Sequence, residues 1–433
     1  MKKLFIISLT TLFLFGCQSE TTEEPVTDSR SIEEIAADFN QDLLSENYEV
    51  IERNYNFTKQ VKPYMRPASL EKIFTDLDCG KILEQQESFT QEANGYQIVS
   101  TPTIFERKNF NVNLVFDENK LIAGFNVSPF TGTTDLEDND TFMESKLVAK
   151  VNDLELNGIF TTPKNVDDYP IVILVHGSGA SDKDETIFEN KPFKDIAHAL
   201  ATQGIASYRY DKGTFASPQS FADKYDFTVY EETINDAVKI YEMIKGQNPD
   251  SDVYILGHSL GGHLIPLIAE EVDASGYVIM AGNVRSLLDL LKEQIPYLIN
   301  LDGTVTAEEK AYQETFNAEI EKLENLDSLA DDEAVIGGYK AYWAFLENYK
   351  PLEKAQSISS KVLVVQGERD YQVTMEDFNL WKTLEKDNFT YISYPTLNHL
   401  MMPGEGQPNP EEYQVKSTVS QTFIDDMASW IKE

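Results

Sequence analysis

Cysteine is almost missing from this 433-residue chain, which has two, Cys17 and Cys79. Cys79 has no second cysteine and no histidine near it in sequence, so a metal or redox role has no support and a plain buried thiol is expected. Positive charge is also scarce. Lys and Arg total 36 against 73 Asp and Glu, a net charge of −37, and most faces of such a molecule repel phosphate-rich polymers, which excludes nucleic acid as a partner. Clustered His or Cys residues and paired acidic motifs at ligand spacing are absent, so neither a metal nor an organic cofactor is implied. Long apolar runs are rare as well, and the one at residues 4–15 is too short for a comfortable membrane span. With five histidines in the chain, every candidate base can be weighed singly.

What is present begins with Met1-Lys2-Lys3 ahead of that apolar run, the charged and greasy parts of an export signal. Leu14-Phe15-Gly16-Cys17 resembles the lipobox of bacterial lipoproteins. The resemblance implies that the signal, residues 1–17, ends in a lipidated Cys17, so that the protein is exported and lipid-anchored to the bacterial cell membrane. With Cys17 acylated, no internal disulfide can form. Residues 18–30 are polar with almost no large apolar group and read as a linker.

At 41% apolar residues the chain has material for cores but is long for one domain, so two folded units are expected. Ser31-Ile32-Glu33-Glu34 fits a capping box, and Ile32, Ile35, Ala36, Phe39 and Leu43 share one helical stripe. Strand patterns follow at 96–105, 109–116 and 121–127, with an Asn94-Gly95 turn before the first, which predicts an antiparallel meander. Residues 31–128 thus read as a small α+β unit. In its order of elements it resembles the cystatin-like or NTF2-like domains that precede hydrolases in exported bacterial proteins, and it would act as a spacer or bind a small molecule or partner.

A boundary is expected at 128–140, then a hairpin over 147–161 turning near Asn152-Asp153. From Pro170 the pattern alternates strand and helix, as in a mainly parallel sheet covered on both faces. Buried strands are expected at 171–175, 253–256, 277–281 and 361–365. Phe193, Ile196, Ala197 and Leu200 mark a helix closed by Gly204, and Val415, Val419, Phe423 and Trp430 mark the last one. Alternation stops at about 283–350, a helical insertion. Its stretch 302–335 holds eleven Asp or Glu and two Lys.

Within the second unit, Gly257-His258-Ser259-Leu260-Gly261 lies between a buried strand and a helix starting near Leu260. In that setting Gly-x-Ser-x-Gly is a nucleophile elbow, a turn too tight for side chains at the glycines. It thrusts Ser259 above the sheet and aims the Leu260 N–H and the helix's positive end at a developing oxyanion. A serine hydroxyl needs a base. His176 and His258 sit inside tight motifs, His263 lies one helical turn past the serine and His198 falls in an Ala-rich helix, which leaves His399 in the loop after a strand at 391–394. Asp370 follows the strand at 361–365 and can orient His399; Glu368 is the rival.

The order Ser259, Asp370, His399 is that of the α/β-hydrolase superfamily. Val175-His176-Gly177-Ser178-Gly179, Asp182-Lys183-Asp184-Glu185 and Tyr208-Arg209-Tyr210-Asp211 strengthen the likeness, and residues 141–433 resemble its serine aminopeptidase-like and dienelactone-hydrolase-like members. The resemblance implies an α/β fold, a second oxyanion donor in the Ser178 N–H, and a cap formed by the insertion, in which the aromatic run at 339–346 would line a pocket or pack on the core. It departs at Lys212-Gly213-Thr214-Phe215-Ala216-Ser217, where relatives carry Arg-Gly-x-Gly-x-Ser. Asp182 and Asp184 are expected to be solvated, or else to contact a substrate amine. The expected function is a cell-surface serine hydrolase that cleaves a small-molecule ester, or a peptide amide, through an acyl enzyme. An aminopeptidase or acyltransferase with the same triad, and a non-catalytic surface binding lipoprotein, are the alternatives. The sequence names neither substrate nor oligomeric state.

Overall fold

The computed structural model describes residues 29–433 apart from 60, 78, 87, 94–95, 107–108, 130–135, 165 and 222–223. Cys17, the export signal, most of the linker and the Asn94-Gly95 turn lie outside the described residues. Among those described, no helix is long and apolar enough to cross a membrane. The chain divides into two compact units at about residue 135.

In the smaller unit the capping box forms as its spacing predicts: Ser31 Oγ accepts from the Glu34 N–H, and the Glu34 carboxylate accepts from the Ser31 N–H. The helix Ile32–Leu44 buries Ile35, Ala36, Phe39 and Leu43 against Val99, Val112, Leu114 and Phe116 of an antiparallel sheet. Three of its strands, Tyr96–Phe105, Asn109–Phe116 and Ile122–Pro129, fall where strand patterns were expected, the last shifted from 121–127. Two more, Ile82–Gln85 and Phe89–Ala93, pair with Tyr96–Phe105. Cys79 is buried, and its Sγ–H donates toward the Phe74 carbonyl (3.6 Å).

The larger unit is built on eight strands: β1 (Phe142–Val151), β2 (Leu154–Pro163), β3 (Ile171–Val175), β4 (Ala206–Tyr210), β5 (Val253–His258), β6 (Gly276–Met280), β7 (Lys361–Gly367) and β8 (Phe389–Tyr394). They lie in the order β8-β7-β6-β5-β3-β4-β2-β1. β1 and β2 form an antiparallel hairpin and β2 runs antiparallel to β4, whereas β3 to β8 are parallel neighbours. Successive residues of β3 enter different cores. Ile171, Ile173 and Val175 face one side with the helix Asn235–Gln247, and Val172 and Leu174 face the other with the helices Pro192–Thr202 and Gln421–Lys432. Apolar surface is thus buried on both faces, and continuous apolar runs are what such strands require.

The sheet closes β6 to β7 through the insertion, which holds the helices Leu287–Ile299, Ala307–Glu324 and Lys340–Asn348. Its run at 339–346 packs inward, with Tyr342 and Trp343 buried in the core. The last helix departs from expectation. It starts at Gln421, because a short 3-10 helix at Pro410–Gln414 breaks the periodicity and leaves Val415 exposed.

Candidate active site

At the carboxyl end of β5 the backbone turns through Ser259 at φ 52°, a left-handed conformation unusual for a residue with a side chain. The turn explains its glycines. A methyl group at Gly257 would lie 2.3 Å from the Gly261 carbonyl oxygen, and one at Gly261 would lie 2.6 Å from the carbonyl oxygens of both Val175 and His176. The elbow therefore packs backbone against backbone beside the end of β3. The Ser259 N–H donates to the Met280 carbonyl (2.9 Å), which fixes the turn to β6.

The loop after β3 passes over the same point, since a methyl built on Gly177 would sit 3.2 Å from Ser259 Cβ. Among the described residues, neither the Ser178 N–H nor the Leu260 N–H has a hydrogen-bond acceptor. The Leu260 N–H directly follows the serine, and the Ser178 N–H belongs to the loop whose Gly177 approaches it.

Asp370, at the end of β7, and His399, in the loop after β8, are both buried, with His399 Nδ1 2.6 Å from Asp370 Oδ2. The carboxylate is fixed by the side chain of Gln366 (3.0 Å) on one oxygen and by the N–H groups of Gln372 (2.8 Å) and Val373 (3.0 Å) on the other. An Nδ1–H that donates to this carboxylate leaves the Nε2 lone pair to accept a proton. Glu368 points elsewhere and accepts from the exposed Ser393 hydroxyl.

His258, the middle residue of the elbow, joins these parts. Its Nε2 donates to the His399 carbonyl oxygen (3.0 Å), and its Nδ1 forms an ion pair with Glu185 Oε2 (2.9 Å). Both partners only accept, an arrangement that favours the doubly protonated, charged imidazole. Burial works against that charge, but the Glu185 carboxylate outweighs it and holds the His258 pKa above its usual value. Glu185 is pushed up by burial and pulled below the ordinary carboxylate range by His258.

The remaining histidines have other partners. His176 contacts the Asp182 carbonyl and His263 the Asn283 carbonyl, and burial lowers each to about 4. His198 lies against Glu144 (2.7 Å).

Asp182 and Asp184 correct the sequence reading, being neither solvated nor open to a substrate amine. Asp182 accepts from Thr186, and Asp184 is ion-paired with Arg209 (2.8 Å) and Lys191 (3.1 Å), both aspartates being buried. Sequence reasoning also assigned no work to Glu185, Lys212 or Glu232. Lys212 carries the clearest signal, a charge two residues past the end of the buried strand β4. Among the described residues, no group of three or more His, Cys, Asp or Glu side chains is arranged to hold a metal ion.

Residues 170–407 match the family model of serine aminopeptidase, S33. The chain belongs to that family. As an S33-family α/β-hydrolase it is a hydrolytic enzyme, and it is 35% identical over 404 residues to esterase EstD of Thermotoga maritima, a match spanning 91% of this chain and 93% of EstD. A second model, for a protein of unknown function (DUF3887), matches residues 36–125, so an NTF2-like domain precedes the hydrolase. Two solved structures are more distant. Est1E from Butyrivibrio proteoclasticus has TM-score 0.44 at 17% identity over 66% of this chain and 99% of its own. Pyrococcus horikoshii acylaminoacyl peptidase has TM-score 0.44 at 13% identity over 83% and 57%.

Proposed function

We propose that this S33-family hydrolase is a serine esterase acting on small, uncharged esters. Ser259 Oγ attacks the carbonyl carbon while His399 Nε2 takes its proton, and the Leu260 and Ser178 N–H groups stabilise the resulting oxyanion. His399 returns the proton to the leaving alkoxide. Water, activated by the same imidazole, then releases the acid from the acyl enzyme, and Asp370 holds the ring in the required tautomer throughout. The observation that carries the reading is the buried Asp370–His399 pair, whose partner His258 sits next to the strained Ser259.

The test is active-site labelling by a fluorophosphonate, followed by a comparison of p-nitrophenyl esters with aminoacyl anilides. Labelling that Ser259→Ala abolishes, with faster turnover of esters, is the expected result. Preference for anilides would move the enzyme to the peptidases. Well-folded protein that takes up no label would make it a binding protein. We further propose that Cys17 carries a lipid anchor, on the strength of Leu14-Phe15-Gly16-Cys17; incorporation of labelled palmitate, lost in Cys17→Ser, tests it.

A further inference from the structure

The loop that carries the Ser178 N–H is held by buried charged side chains. Glu185 Oε1 accepts from the Gly177 N–H (2.8 Å), Lys212 Nζ donates to the Gly177 carbonyl oxygen (2.7 Å), and Glu232 Oε1 accepts from the Gly179 N–H (2.7 Å). Lys212 and Glu232 also pair with each other at 2.8 Å, and both are almost fully buried. Glu232 lies in a π-helical turn, Tyr230–Ile234, a rare geometry frequent at functional sites. Its second oxygen accepts from Tyr342 of the insertion (2.8 Å).

Burying an ammonium group is costly unless it is paired, and here its position has a specific effect. The Gly177 carbonyl and the Ser178 N–H belong to one planar peptide group and point in opposite directions. A donor that fixes the carbonyl on one side therefore fixes the direction of the N–H on the other. A cationic donor also polarises the amide, which strengthens the N–H as a hydrogen-bond donor in a low-dielectric site.

We propose that Lys212 is a positioning residue for ester hydrolysis. By gripping the Gly177 carbonyl from behind, it aims and polarises the Ser178 N–H toward the oxyanion on the substrate side. The inference rests on the reading of Ser259 and Ser178 given above. The long side chain of Lys212 reaches back under the loop to grip that carbonyl.

The test compares Lys212→Met/Glu232→Gln with Glu232→Gln alone, so that both proteins lack the acidic partner and differ only in the donor to Gly177. Two readouts are taken: kcat and KM for a p-nitrophenyl ester, and the inhibition constant of a trifluoromethyl ketone, whose adduct with Ser259 carries an oxyanion. Loss of an oxyanion donor costs on the order of 100-fold in kcat. Removing the grip of Lys212 is therefore expected to lower kcat about 10- to 100-fold and to weaken the ketone by a similar factor, with KM nearly unchanged. Values of kcat and ketone affinity that agree between the two proteins would overturn the proposal, as would a change confined to KM. If the double variant does not fold, Lys212→Gln replaces it, because its amide ends one bond short of the ammonium. Its kcat must fall by about 10-fold, and wild-type kcat in that variant would overturn the proposal. Failure of the underlying reading looks different, since Ser259→Ala would then keep its activity.

Discussion

At the scale of single residues, short sequence motifs and long-range pairing differ in how much they disclose. The geometry around Ser259 follows from glycine spacing, because the turn excludes side chains within five residues of chain. The hydrogen bond between Asp370 and His399 was anticipated from their places after β7 and β8. Glu185 was not anticipated, since its partner His258 lies far along the chain and nothing in Asp182-Lys183-Asp184-Glu185 shows which carboxylates turn inward. Two outcomes follow at this scale. Asp370→Asn, which keeps the shape and loses the tautomer, is expected to lower kcat by about four orders of magnitude, while Glu368→Gln stays close to wild type in the same ester assay. The ion pair of His258 makes a prediction in pH. Its folded pKa is raised, so the stability it contributes is complete below the unfolded value of about 6.5 and is lost as pH rises through the folded value. His258→Gln is expected to cost about 3–5 kcal/mol at pH 6 and progressively less in urea titrations at pH 8 and pH 10. A cost that grew with pH would contradict the assignment.

At the scale of elements, the parallel strands were the most legible, because a strand buried on both faces has no polar alternation to hide it. Their order in space was less legible. β3 lies beside β5, and β7 and β8 follow beyond the insertion, pairings that depend on contacts between distant segments. The last helix was read from Val415 because the spacing of Val415, Val419 and Phe423 continues ahead of Gln421 and says nothing of where hydrogen bonding starts. The elbow permits a paired test of how tightly elements meet. Gly261→Ala forces a methyl group into the carbonyls ending β3 and is expected to cost about 3 kcal/mol or more. Gly246→Ala, in the helix Asn235–Gln247 with nothing within 4 Å, is expected to stabilise by up to about 1 kcal/mol. Opposite signs for these two changes in chemical denaturation would confirm that the elbow's glycines answer to packing and the helical one does not.

For the whole molecule the dominant quantity is charge, −37 over 433 residues, and it was fully legible from composition. What composition could not tell is how the positive charge is used. Arg209 and Lys212 are spent in buried ion pairs, so they neutralise internal carboxylates and offer nothing to an approaching anion. The outer field is set by the remaining charges, which are predominantly acidic, and it acts on substrates before they reach Ser259. Its range is set by screening, about 8 Å at physiological ionic strength and about 30 Å at 0.01 M. Two esters that share an acyl group and differ only in a neutral or sulfonated leaving group separate this field from pocket fit. At 0.01 M salt the sulfonated ester is expected to show the lower kcat/KM, with the gap carried by KM. Raising the salt to 0.5 M should narrow the gap, because screening removes the long-range repulsion and leaves any steric difference in place. A gap that did not respond to salt would assign the discrimination to the walls of the site instead of the molecule's field.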